Sequence, residues 1–237
     1  MNPLLPKQHG AWAMLVLPFI LGIKAGQFVW LHIPLFVGWL FLYLATYPVL
    51  MLIKKKRPKL HRKWFLIYFI PALITLTIPV LYDYKLIYFG LAMAPFFLIN
   101  AYFAKQNNER ALLNDFSAIT VFGFAGVASY YVGTGFVDAL ALRVWLLSGL
   151  FFLGSTFYIK TMIREKRSSV YRLVSWGFHL AVIIGLIIAG YPLFTIAFIP
   201  SVVRSIAFYG KSLSVLKVGI LEIVNSVYFL VVLFFLL

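Results

Sequence analysis

Residues 33–53, IPLFVGWLFLYLATYPVLMLI, run for 21 positions without a charged side chain, and residues 54–63, KKKRPKLHRK, follow at once with seven cations. A helix needs about 20 apolar residues to span a hydrocarbon core, so the first stretch reads as one crossing. The second reads as a loop kept on the cytosolic side, where Lys and Arg accumulate. The pattern repeats outward from this pair, with further apolar segments at 11–30, 64–82, 86–104, 112–132, 140–159, 170–189, 192–208 and 215–237. The expected fold is an all-α membrane protein, a nine-helix transmembrane bundle forming a single domain over residues 1–237.

Composition supports this reading and excludes others. The hydrophobic set makes up 63% of the chain and charged residues 11%, with a mean hydropathy of +0.98. Soluble domains use roughly 45–50% apolar residues, so little length is left for a cytosolic enzyme on a membrane tail. The segments lack the ten-residue alternation of an outer-membrane barrel. With no cysteine, disulfides, thiolate metal sites and a cysteine nucleophile are excluded. The first segment follows only Lys7 and His9, contains Lys24 and lacks a small-residue cleavage pattern, so it reads as a retained helix and not a signal peptide.

The net charge of +15 would suggest nucleic acid in a soluble protein; here its distribution speaks for topology. Alternating sides from an interior N-terminus places 18 of the 21 Lys and Arg residues inside, leaving Lys24, Lys85 and Arg143 outside. That asymmetry favours N-terminus in and C-terminus out, with no nucleic-acid partner. Removing a pair of helices preserves the bias, so nine against seven turns on the short segment 192–208. Prolines at 18, 34, 48, 71, 79, 95 and 200 are expected to bend helices around a cavity. The spacing Gly22-IKA-Gly26 permits close helix approach but is common in apolar sequence.

Polar residues collect on the cytosolic side. Lys7 and His9 sit where the first helix begins, a position that draws anions and equally suits an interfacial anchor. The stretch from Asn100 to Asp115 mixes Tyr102, Glu109, Arg110 and Asp115; Asp115 also suits the start of a helix, where its charge complements the dipole. Lys160 and Arg164 are four residues apart, on one face if the helix continues. Their repulsion would be relieved by a bound anion or by Glu109, Asp115 or Glu165. Basic residues also suit a helix C-terminus. Deeper in the membrane, Glu222 and Asn225 share a helical face and His179 lies apart; a neutral carboxyl bonded to Asn or His would account for Glu222.

The runs KQHGAWAMLVLPFILG (7–22), NNERALLND (107–115) and IKTMIREK (159–166) resemble the YwiC-like family of bacterial multi-pass membrane proteins, over the whole chain. The stretch Tyr102-FAK with residues 114–135, the pair Arg57-Pro58, and the runs RSIAFYGK (204–211) and ILEIVN (220–225) are more distantly similar to UbiA-type prenyltransferases of the menaquinone branch. That second resemblance implies nine helices with an interior N-terminus and transfer of polyprenyl diphosphate chains to aromatic acceptors. Such proteins hold Mg²⁺ with aspartate-rich stretches after the second and sixth helices. Here residues 43–53 contain no carboxylate, and Lys160-TMI-Arg164 keeps the spacing with the charge reversed. With six carboxylates dispersed along the chain, we expect no metal and no cofactor.

The expected function is binding of an anionic isoprenoid or other amphipathic lipid in a cytosol-facing cavity of a bacterial cytoplasmic (inner) membrane protein. Lys160, Arg164 and Arg167 would contact the head group, with Lys7, His9 and Arg110 nearby. Glu109 and Asp115 would orient those cations, and Tyr102 and Phe103 would line the tail channel. The sequence specifies no reaction, so a divergent transferase is one form of this reading. Two other classes fit the same features: a small-anion transporter, suggested by positive mouths and broken helices, and a noncatalytic partner in assembling a membrane complex. On intact cells, a C-terminal tag should be reached from outside and an N-terminal tag only after permeabilisation. A C-terminal tag accessible only from the cytosol would refute an odd number of crossings.

Overall fold

The computed structural model describes residues 3–6, 9–166 and 168–237, with His9 described in its backbone alone. Among these residues the chain forms nine α-helices: α1 (His9–Ala25), α2 (His32–Ile53), α3 (Pro58–Tyr82), α4 (Leu86–Lys105), α5 (Leu112–Thr134), α6 (Ala139–Ile159), α7 (Ser169–Ile188), α8 (Thr195–Ala207) and α9 (Val215–Leu236). Each corresponds to one of the apolar segments. α3 begins six residues before its segment, because Pro58 in the first turn starts the helix while it is still polar. A π-helical turn, Lys160–Arg164, extends α6, and a 3₁₀ turn, Pro192–Phe194, precedes α8.

Seven of these helices are long and apolar enough to cross a membrane: α2, α3, α4, α5, α6 with its π turn, α7 and α9. The chain is therefore a multi-pass helical membrane protein. α1 and α8 are apolar but shorter, at 17 and 13 residues. The chain divides into two compact units, Met1–Trp145 and Leu146–Leu237.

In the first unit α1 packs on α5, α2 on α3, and α4 on α5. Small residues let α1 and α5 approach closely. A Cβ placed on Gly126 would stand 2.7 Å from the Pro18 carbonyl oxygen, and one on Gly26 would stand 2.9 Å from that of Tyr130. Polar groups add to the contact: Ser129 Oγ donates to Phe19 O at 2.9 Å, and His32 Nε2 lies 2.8 Å from Ser129 O. Pro18 disrupts the preceding turn of α1, and Leu15 O accepts from the Trp39 indole at 3.3 Å.

The end of this unit nearer the basic loop is filled by rings. Trp12 meets Tyr43 edge-on at 5.2 Å, Tyr43 meets Phe122 at 5.8 Å, and Trp64 lies against Tyr68 at 5.3 Å. At the opposite end Tyr131 donates to Asp83 at 2.5 Å and Tyr130 to Asp138 at 3.0 Å. Trp30, Tyr82, Tyr84 and Tyr88 are exposed there, as suits rings at a membrane interface.

In the second unit α7 packs on α8 and α8 on α9. Phe151 stacks on Phe229 at 4.1 Å, and Phe198 meets the same ring edge-on at 5.2 Å. Trp176 Nε1 donates to Ser205 O at 2.9 Å, and the Arg172 guanidinium lies 5.5 Å from the Trp176 and Tyr209 rings.

These packings separate the roles of the glycines. Gly126→Val forces side-chain atoms into the α1 backbone and should cost about 1–3 kcal/mol, the usual scale of overpacking. Gly177, on α7, has open space where a Cβ would go, so Gly177→Ala should be neutral or stabilising by about 0.5–1 kcal/mol. Thermal unfolding of both variants in one detergent checks this. Equal midpoints would mean that α1 and α5 are not in close contact.

Candidate functional site

The residues singled out from sequence fall in both units. Lys7 and Arg167 lie outside the described residues, as does the side chain of His9. In the first unit, Tyr102 is 59% exposed on α4, its ring 5.5 Å from that of Phe103. Glu109 and Arg110 lie between α4 and α5, and Asp115 occupies the first turn of α5, where a carboxylate complements the helix dipole.

Glu109 forms an ion pair with Lys54, the residue that caps α2. The pair joins the basic loop to the α4–α5 connection, and Asn114 Nδ2 braces it by donating to Glu109 O at 2.7 Å. Burial works against ionisation of Glu109, but the hydrogen bond and charge of Lys54, with a further contribution from Lys56, outweigh it and hold the carboxyl below its ordinary 4.5. In sequence Lys54 was indistinguishable from the six other cations of its run.

In the second unit, α6 continues past Ile159 as a π turn, closed by Glu165 N–H donating to Lys160 O at 2.7 Å. Lys160 is buried and Arg164 is exposed. The two cations thus occupy unlike surroundings instead of forming an equivalent stacked pair. Single-turn π segments of this kind recur at functional sites but leave no hydropathy signature.

Sequence reasoning overlooked the most buried Lys or Arg among the described residues. Arg204 was counted with the cytosolic loop charges, whereas it lies in the last turn of α8 and is only 5% exposed. It forms an ion pair with Glu222 of α9, donates from Nη2 to Ser155 Oγ of α6 at 2.8 Å, and lies 4.5 Å from the Tyr158 ring centre. Arg204, rather than Asn or His, is therefore the partner of Glu222. Asn225, expected on the same face, donates to Ser201 Oγ at 3.0 Å. The available signal was that segments 192–208 and 215–237 each carry an ionisable residue within an apolar run, where isolated charges are costly and tend to pair. His179 Nδ1 lies 2.6 Å from Ser175 O, and its ring borders a void of about 10 Å³ with Gly154, Phe198 and Ser201.

A larger cavity of about 290 Å³ lies in the first unit, lined by side chains including Phe19, Trp39, Leu76, Phe89, Met93 and Ala128. Its lining residues are of apolar types, and none of the ten residues that the sequence assigns to the ligand is among them. It uses the first half of α2 and α4 and the second half of α3 and α5, so it occupies the end away from the basic loops. That is the end opposite the one at which the sequence places the head-group contacts. Trp12, Tyr43, Trp64, Tyr68 and Phe122 fill that end, whereas Gly90, Ala125 and Ala128 leave space at the other.

Among the described residues, no three His, Asp or Glu side chains gather in a metal-binding group. The family model for YwiC-like protein matches residues 5–130. The chain is 48% identical over 235 residues to the Uncharacterized protein YwiC of Bacillus subtilis (strain 168), covering 98% of this chain and 97% of that one. It is 39% identical over 234 residues to an Uncharacterized protein of Haemophilus influenzae, covering 98% of both chains. No solved structure matches.

The Lys54–Glu109 pair makes a pH-dependent contribution of about 0.5–1 kcal/mol, the scale of a partly exposed ion pair. Because the folded carboxyl titrates below 4.5, this stabilisation is present above that value and is lost as pH falls through the lower folded value. Glu109→Gln should therefore lower the unfolding midpoint at neutral pH and match the parent chain in strong acid. A difference that stays constant from neutral to acid pH would exclude the ion pair as its source.

Proposed function

Because this chain belongs to the YwiC-like family, matched by relatives over nearly its whole length, we propose that it is a bacterial cytoplasmic-membrane protein that holds an amphipathic lipid or isoprenoid tail among α1–α5. The observation that carries this reading is the predominantly apolar cavity of about 290 Å³, near the lower end of the range for small-molecule sites. Its walls offer little hydrogen bonding to a polar solute. A flexible hydrocarbon chain fits them without desolvating any polar group.

The anionic head is proposed to meet the basic end of the first unit. Arg110 supplies a cation there; Lys160 and Arg164 of the second unit are proposed, independently of this cavity, as contacts for an anionic head group on their own unit. A ligand with its head at the basic end would have to cross much of the ~30 Å hydrocarbon core for its tail to reach the cavity. That distance favours a long isoprenoid over a short amphiphile. A UbiA-like arrangement of nine crossings, with the N-terminus inside and the C-terminus outside, belongs to the same proposal; it draws on residues 102–105 and 114–135 and the basic asymmetry. In a divergent prenyltransferase of this type, the cations would take the place of Mg²⁺ in neutralising the head group.

Gly90 and Ala128 border the cavity, and open space surrounds the position where a Gly90 Cβ would go. Gly90→Leu and Ala128→Leu should fill the space and displace a co-purified lipid while the protein stays folded. Native mass spectrometry after mild detergent extraction checks this against thermal unfolding of the same samples. The reading fails if the parent chain retains no lipid, or if the folded, filled variants retain as much as it does.

A further inference from the structure

Arg204 of the second unit is held by α6 as well as by its own counter-ion. Ser155 and Tyr158, both on α6, supply a hydrogen-bond acceptor and a ring face. Glu222, on α9, supplies the ion pair and is the more exposed partner, with 12% of its side chain accessible against 6% for Arg204. If Glu222 turned away, two contacts would still fix the guanidinium.

Two buried donors of this cluster are left without an acceptor. A guanidinium carries five N–H groups in a rigid fork and accepts nothing. Among the described residues, Arg204 Nε and the Tyr158 hydroxyl have no hydrogen-bond partner, Arg204 Nη1 and Glu222 Oε1 meet only in their ion pair, and Tyr158 is 0% exposed. Buried donors without acceptors are costly, and a ligand made only of acceptors removes that cost. Tetrahedral oxyanions match this description and suit the guanidinium fork. The approach is also cationic, since Lys160, Arg164, Arg172, Lys211 and Lys217 belong to the same end of this unit, with Glu165 as the acidic exception. Such a group of cations raises the local concentration of anions at that end.

We propose that Arg204, Ser155 and Tyr158 form a binding site for a tetrahedral oxyanion of the phosphate or sulfate type, which the Glu222 carboxylate occupies at rest and vacates on protonation. Protonation removes the negative charge that Arg204 pairs with, and the incoming anion replaces it. The other titratable or charged groups around this exchange are Tyr158 on α6, Lys160 in the π turn, His179 on α7 and Lys217 on α9. The proposal is independent of the lipid reading, which rests on the other unit.

Sulfate is a suitable probe because it does not titrate between pH 5 and 8. With the full chain in non-ionic detergent, calorimetric sulfate affinity should rise as pH falls, by up to about tenfold per pH unit when one proton is coupled to one anion. Glu222→Gln should bind sulfate tightly at pH 8 and lose the pH dependence. Arg204→Gln should abolish binding, and Tyr158→Phe should weaken it about tenfold, the scale of one charge-assisted hydrogen bond. His179→Gln should keep the pH dependence, which separates the imidazole from the carboxylate.

Nanodiscs containing phosphatidic acid, compared with phosphatidylcholine alone, distinguish the source of the oxyanion. A response to sulfate in detergent supports a free anion, and a thermal shift confined to phosphatidic acid that Arg204→Gln removes supports a lipid head group. The proposal is overturned if Glu222→Gln responds to neither probe more strongly than the parent chain does. Should that variant fail to fold, a parent chain with pH-independent binding to both probes, or a Tyr158→Phe chain that binds as the parent does, overturns it equally.

Discussion

A hydrocarbon core offers no hydrogen-bond partner to a peptide group, and every spanning segment must satisfy its own backbone. That constraint accounts for the helical architecture and for the conduct of polar side chains within it. Thr75 donates to Pro71 O at 2.8 Å, Asn100 to Phe96 O at 2.7 Å, Ser117 to Leu113 O at 2.7 Å and Thr156 to Phe152 O at 3.0 Å. Each returns a hydroxyl or amide to the helix that carries it. Polar groups that reach another helix are therefore informative, because they have given up this local solution.

The two units make different use of that freedom. In the first, interhelical polar contacts are brief and serve close packing: Ser129 with Phe19 O, Trp39 with Leu15 O, and His32 with Ser129 O. The rest is a matter of ring against ring and glycine against backbone, which leaves a dry cavity at one end. In the second, an ion pair and two serines link α6, α8 and α9. Isolated charges at such depth cost a few kcal/mol, so the Arg204–Glu222 pairing tolerates two groups that neither helix could bury alone. The residues matched by the family model lie in the first unit, while the similarity to the relatives extends through both.

The helices were legible because membrane crossing imposes length and apolarity on a contiguous stretch, which hydropathy reads directly. The start of α3 at Pro58 was not, since its first turns are basic and only the proline marks them as helical. The Lys54–Glu109 pair was half legible. Glu109 stood out as a carboxylate among amides, but any of seven cations could have answered it. Arg204 was hidden for the opposite reason: a cation near a segment end is ordinarily a topology marker, and only the position of α6 and α9 around it reveals a buried one. The position of the apolar cavity was not legible, because prolines and small residues announce irregular packing without saying which gaps the aromatic side chains fill.

The partnership of α1 with α5 bears on how the chain is made. Ser129 and Phe19 are joined across 110 residues, whereas α2 and α3 are joined by a loop of four. During synthesis at about 5–20 residues per second, α1 therefore spends roughly 5–20 s beside the ribosome before its glycine-lined partner emerges. The α2–α3 hairpin can close within that interval, and the late arrival of α5 completes the first unit. Through this period Gly22 and Gly26 present an unpaired groove, to which the translocon or a chaperone has access before the rest of the protein does.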